Sequence, residues 1–223
     1  MLKYTCKAIV ILSVLILFSL HSCDNSVKNN FSVGLIADCQ YCAVEGKGIR
    51  KYSKSTHKLK ECVNHLNTMD LEYTMHLGDF IDKDWGSFDS VIPIYNQLKS
   101  KKYHVLGNHD FSLEDSKKKL VSKRMGLPSD YYDFKIHGWR FIALNGNDVS
   151  FHAHPKGSDA YKFAESYYEE HKISSPKWNG ALGSDQMEWL KVTLEKAEEA
   201  KEKVVLYCHF PVFPENAHNL WNA

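Results

Sequence analysis

An excess of charge of either sign is missing from this chain. Its 28 lysines and arginines balance 27 acidic residues to a net charge of +1. That balance gives no sign of a nucleic-acid-binding surface, so no nucleic-acid partner is expected. Internal repeats and low-complexity blocks are absent too, which excludes solenoid and fibrous classes. No phosphate-cradling glycine loop occurs: Gly46-Lys47-Gly48 lacks the third glycine of a dinucleotide fingerprint and follows no clean strand. Serine and histidine are plentiful, but no nucleophile elbow organises them. No apolar run is long enough to span a bilayer as an ordinary helix; Ala8 to Leu20 falls short. The six cysteines fit no four-cysteine zinc site. Cys39 and Cys42 have redox-motif spacing and could pair in an exported protein; incidental small residues are the other reading. Lys117-Lys118-Lys119 reads as a solvated helix face.

What is present begins with a targeting segment. Lys3 and Lys7 precede the apolar stretch, which ends in Leu20-His21-Ser22-Cys23. Residues 1–22 therefore read as a signal peptide. The block at its end resembles the lipobox of bacterial lipoproteins, with His21 unusual there. That resemblance implies lipidation of Cys23, a polar tether through Asn30, and an exported, membrane-anchored protein of the cell envelope. A cleaved secretory protein or a retained anchor is the alternative. The remaining stretch, 31–223, has the size of one domain, and 43% hydrophobic residues overall suffice for a core.

Helical spacing of apolar residues marks Ser53–Met69, Ser87–Lys99 and Ser184–Lys201. His137-Gly138 separates two strand-like runs, Tyr131–Ile136 and Trp139–Asn145, as a two-residue hairpin turn. Four further apolar runs, starting at Phe31, Tyr73, Lys102 and Lys203, read as strands buried on both faces. Alternating strands and helices plus one antiparallel pair suit a mixed α/β sandwich.

Each of those four strands runs into side chains that bind metals. The blocks are Ala37-Asp38-Cys39-Gln40, Gly78-Asp79-Phe80-Ile81-Asp82, Gly107-Asn108-His109-Asp110 and Cys208-His209-Phe210-Pro211. Ligand sites in α/β sheets form beyond the carboxyl ends of strands, and glycine lets the backbone approach a ligand closely. Asp79 is the natural bridge between two cations, since a carboxylate offers two oxygens and a full charge.

Taken together and in this order, the blocks resemble the ligand series of the calcineurin-like metallophosphoesterases. The resemblance implies a four-layer α/β/β/α sandwich with two mixed sheets and two divalent cations. By it, Asp38 and Gln40 hold the first ion with Asp79, while Asn108 and His209 hold the second. Gln40 stands where the family has histidine; an amide oxygen hardens that site and favours Mn2+ or Mg2+ over Zn2+. Mn2+ is the expected metal, with iron, Mg2+ and Zn2+ as alternatives. His109 would act on the leaving oxygen, with Asp110 orienting its imidazole. Asp82 would orient the loop or a ligand. For Asp82 and Asp110, plain turn bonding is the competing reading.

Beyond the blocks, the chain resembles manganese-dependent ADP-ribose/CDP-alcohol diphosphatases across 31–223. The likeness is carried by Gly34-Leu35-Ile36-Ala37-Asp38-Cys39-Gln40-Tyr41, Asn179 to Leu190, Cys208 to Pro214 and Leu220-Trp221-Asn222. It implies small nucleotide-derived substrates split at a pyrophosphate bond. Another branch acting on phosphodiesters or phosphomonoesters is the rival. The family's later Gly-His-x-His block does not follow His209, which implies that the C-terminal part is missing; a truncated non-catalytic protein is therefore the second rival. The likeness is loosest between Ser150 and Trp178, where Phe151, Tyr161, Phe163, Tyr167, Tyr168 and Trp178 fit either a base-stacking platform or packing. His152-Ala153-His154 is either a metal site or a plain loop.

Overall fold

The computed structural model describes residues 30–46 and 48–211. The signal segment, Cys23 with most of its tether, and residues 212–223 lie outside them. Among the described residues no helix is long and apolar enough to cross a membrane.

Two three-stranded sheets face each other. The first holds β1 (Val33–Ile36), β2 (Tyr73–His76) and β3 (Lys101–His104), all parallel in that order. The second holds β4 (Tyr132–Ile136) antiparallel to β5 (Trp139–Ala143), which pairs in parallel with β6 (Lys203–Tyr207). The second sheet is thus mixed, while the described part of the first is purely parallel. The turn between β4 and β5 has positive φ at both residues, 50° at His137 and 77° at Gly138, as a tight hairpin matching strand twist requires.

Aromatic residues on alternate strand positions join the sheets. Tyr73 meets Phe134 and Phe141 edge-on, each at 5.1 Å between ring centres, and Tyr103 stacks on Phe134 at 3.8 Å. Such pairs add about 0.5–1.5 kcal/mol each beyond the area they bury. The opposite face of β2 carries Thr74 and His76 toward α1 (Ser55–Leu66) and α2 (Ser87–Tyr95), whose Leu59, Val63, Phe88, Val91 and Tyr95 form the second core. On the far side, α6 (Ser184–Glu199) runs beside β6, completing four layers.

Only β2 is buried at every residue. The expectation of strands buried on both faces fails for β1, β3 and β6, because each has a strand neighbour on one side alone among the described residues. Leu35 and Leu206 are about half exposed as a result, at 52% and 50%. α2 ends at Tyr95 rather than Lys99, two residues past Pro93, which cannot donate to the helix ladder. The run Lys117–Lys119 is no freely solvated face either. Lys118 pairs with Asp115 at 2.8 Å and donates to the His154 carbonyl at 3.1 Å, and Lys117 sits over the Trp85 ring.

Three helices had no clear sequence signal: α3 (Asp115–Lys118), α4 (Val121–Met125) and α5 (Asp159–Glu170). Ser158 caps α5 by accepting from the Tyr161 amide at 3.3 Å, and that serine with Ala164 and Tyr168 at helical spacing is the pattern that marks it.

Candidate metal centre

Register brings the ends that carry the candidate ligands together. Ile36, His76 and His104 are cross-strand partners, so the loops after β1, β2 and β3 leave the sheet side by side. They then knit to one another: Asp38 N–H donates to Gly78 O at 3.2 Å and Gln40 N–H to Asp79 O at 2.8 Å. The backbone is strained here. Asp38, Gln40 and Asp79 have φ of 54°, 43° and 59°, a region that L-residues other than Asn and Asp seldom adopt; clusters of such residues mark ligand-holding sites. Two glycines make the close approach sterically feasible. A Cβ at Gly107 would stand 2.2 Å from Asp79 Oδ1, and one at Gly78 would stand 2.6 Å from His209 Nδ1.

Asp79 is the hub. Its carboxylate accepts from Gln40 Nε2 at 2.9 Å and from the His109 amide at 2.8 Å, and His209 Nε2 lies 3.5 Å from Oδ1. Donor atoms of Asp38, Asp79 and His209 fall within 4.8 Å of one another. His209 Nδ1 donates to the Leu77 carbonyl at 2.8 Å; a carbonyl only accepts, so this bond fixes the tautomer and presents Nε2 to the cluster. Burial opposes charge on His209, but the adjacent Asp79 carboxylate outweighs it and lifts the pKa to about 9. Burial likewise works against charge on Asp79, and His209 overcomes it, holding the carboxyl below its usual range. Asn108 begins the short 3-10 turn His109–Phe111, half-buried beside these groups.

Two aspartates divide their work differently from the expectation. Asp82 Oδ1, not Asp110, holds His109 Nδ1 at 2.9 Å. The fully buried Asp110 accepts instead from the backbone amides of Asp79, Phe80, Ile81 and Gly107 at 2.7–3.3 Å. Burial, then the charge of Asp79, push its pKa up to about 7 against the opposing bonds from the Gly107, Phe80 and Ile81 amides. Asp110 therefore clamps the β2 loop to the β3 loop and does not touch the His109 ring. Its position beside His109 in sequence hid this, because three of the four amides it captures, those of Asp79, Phe80 and Ile81, lie about thirty residues upstream.

Among the described residues, His152 and His154 stay out of the cluster. His152 Nε2 pairs with Asn147 Oδ1 at 2.7 Å, and His154 Nε2 donates to the Asp148 carbonyl at 3.0 Å. Cys39 and Cys42 are free buried thiols. Of the aromatic stretch, Phe151, Tyr167 and Tyr168 pack with Val149, Ala164 and Ala181 in a small satellite core, while Phe163 and Trp178 remain about half exposed.

Hard oxygen donors, one imidazole and a shared carboxylate suit divalent cations such as Mn2+. The calcineurin-like phosphoesterase family profile matches residues 31–223. The chain belongs to that family. This metallophosphoesterase, a metal-dependent hydrolase, is 28% identical to the manganese-dependent ADP-ribose/CDP-alcohol diphosphatase of Oryza sativa over 86% of this chain and 70% of the relative. It is 27% identical to the Homo sapiens protein of the same name, over 89% of this chain and 72% of that one. The crystal structure of a dimetal phosphatase from Danio rerio superposes with a TM-score of 0.72 at 24% identity, covering 86% of this chain and 74% of the other. That likeness establishes the four-layer α/β fold.

Proposed function

We propose that this metallophosphoesterase hydrolyses the pyrophosphate bond of nucleoside-diphosphate-linked compounds, ADP-ribose and CDP-alcohols among them, at a centre for two Mn2+ ions. The observation that carries the reading is the convergence of Asp38, Asp79 and His209 donors within 4.8 Å, with Gln40 hydrogen-bonded to the shared Asp79. The names of the relatives supply the substrate class.

Asp38, Gln40 and Asp79 would hold one cation, and Asp79, Asn108 and His209 the other. Divalent ions there supply Lewis acidity toward a phosphoryl oxygen and a nucleophilic water at neutral pH. The chain's own residues set the geometry. Asp79 would offer its two oxygens to the pair of cations, and Leu77 and Asp110 hold the loops that present His209 and Asp79. His109, held through Nδ1 by Asp82, has Nε2 left to donate a proton to the departing phosphate oxygen.

The test is a panel of ADP-ribose, CDP-choline, bis-p-nitrophenyl phosphate and p-nitrophenyl phosphate with Mn2+. Hydrolysis of the first two to pairs of monophosphates, in preference to the nitrophenyl esters, is expected. The opposite order would move the chain to a phosphodiesterase or phosphomonoesterase branch. We also propose export and lipid anchoring at Cys23. Radioactive fatty acid should label the wild type and not Cys23→Ser; equal labelling refutes the anchor.

A further inference from the structure

The loop after Gly46 and the turn after Asp82 bring two cations onto one aromatic ring. Arg50 Nη1 donates to the Tyr52 hydroxyl at 3.2 Å, and Lys83 Nζ lies 4.9 Å from the centre of the same ring. Tyr52 is itself buried in the short helical turn that leads into α1, so it is a fixed post on which the two cations meet. Lys83 directly follows Asp82, whose carboxylate holds His109. Lys83 also has φ of 75°, which breaks the strand direction just past the ligand-bearing loop. Both cations are exposed to solvent. After Tyr52 and solvent exclusion, the charges felt by the Arg50 guanidinium are those of Asp82 and Asp79.

We infer that Arg50 and Lys83, gathered on Tyr52, form an anion subsite that takes the second phosphate of a diphosphate-bridged ligand while the metal centre engages the first. The inference rests on the diphosphatase reading and deepens it, naming residues that separate diphosphates from monophosphates. A metal centre alone attracts any phosphate ester. A substrate with two bridged phosphates carries a further negative charge next to the attacked one, and arginine with lysine is the usual recognition chemistry for such a group. Cation–π contact with Tyr52 holds the lysine near the site without neutralising it, whereas an acidic partner would cancel its charge toward a ligand.

The experiment is calorimetric titration of the Mn2+-loaded full chain with ADP and with AMP, for the wild type and Arg50→Gln/Lys83→Gln. Wild type should bind ADP more tightly than AMP by ~10-fold, and the double variant should lose most of that ratio through weaker ADP binding. The wild-type preference should also shrink with added salt. Thermal melting of both proteins checks that the fold is intact. A variant that keeps the ADP-to-AMP ratio, or a wild type without a preference, overturns the inference. Turnover separates the two levels. An ADP preference lost in the variant, with no hydrolysis of ADP-ribose, keeps the subsite and removes the diphosphatase reading. Hydrolysis of ADP-ribose with an unchanged ratio in the variant does the reverse.

Discussion

Replacing Gly107 by alanine tests the construction of the site from steric grounds alone. The added Cβ would lie 2.2 Å from Asp79 Oδ1 and 2.3 Å from Asp79 N, where ordinary contact begins at 3.4 Å. One of the colliding atoms is backbone, so rotamer change cannot relieve the clash; the β2 and β3 loops must part by about 1 Å, a misplacement that typically costs ~10²-fold in rate. The amide of Gly107 also donates to Asp110 at 2.9 Å, so the clamp on Asp79 moves as well. Gly86→Ala is the control: Gly86 has φ of −65°, and its Cβ would meet only the Asp84 carboxylate at 3.2 Å. Steady-state kinetics on the best substrate of the panel, with Mn2+ content by elemental analysis, should show kcat/KM falling ~10²-fold or more for Gly107→Ala and hardly for Gly86→Ala. Wild-type kinetics for Gly107→Ala would refute the packing argument, and equal losses in both would reduce it to a general glycine effect.

His109→Ala should lower kcat by ~10²–10⁴ with little change in Mn2+ content, since the ring sits 4.0 Å from Asp79 and is held by Asp82; equal loss of metal and rate would make His109 a ligand. Mn2+ competes with a proton on His209, whose folded pKa is raised to about 9. Apparent affinity in chelator competition should therefore climb as pH rises toward 9 and level above it, and a flat profile between pH 6 and 8 contradicts the pairing with Asp79. Both ring nitrogens of buried His76 and Nδ1 of buried His104 lack partners, and burial pushes His104 down to about 3. The unfolded chain thus binds protons below pH ~6.5 that the folded chain refuses. Stability present above that pH is lost as pH falls toward 3, by up to about 5 kcal/mol for His104. Urea midpoints should fall with pH in the wild type and less in His104→Phe; parallel curves would rule out His104 as the cause.

The strand-end blocks were legible because a ligand loop writes its residues consecutively: apolar run, turn, donor. That made the convergence of Asp38, Gln40, Asp79 and His209 legible, along with the sandwich and the His137-Gly138 hairpin. What was not legible depends on partners distant in sequence. Asp110 looked like a companion of His109, but it accepts from the amides of residues 79–81 and 107. Asp82, three residues beyond Asp79, proved to be the residue that fixes His109. The exposure of β1, β3 and β6 could not be read from their composition, because an edge strand and a central strand use the same residues. Arg50, Tyr52 and Lys83 carry no motif at all; only folding brings residues 50 and 83 onto one ring.

The account stands on Asp79 as the shared ligand, and electron paramagnetic resonance of Mn2+ bound to the wild type and to Asp79→Asn tests that claim most directly. A spin-coupled pair of Mn2+ ions in the wild type, lost in Asp79→Asn together with most of the bound metal, is the predicted result. A coupled signal and full Mn2+ content in Asp79→Asn would contradict it.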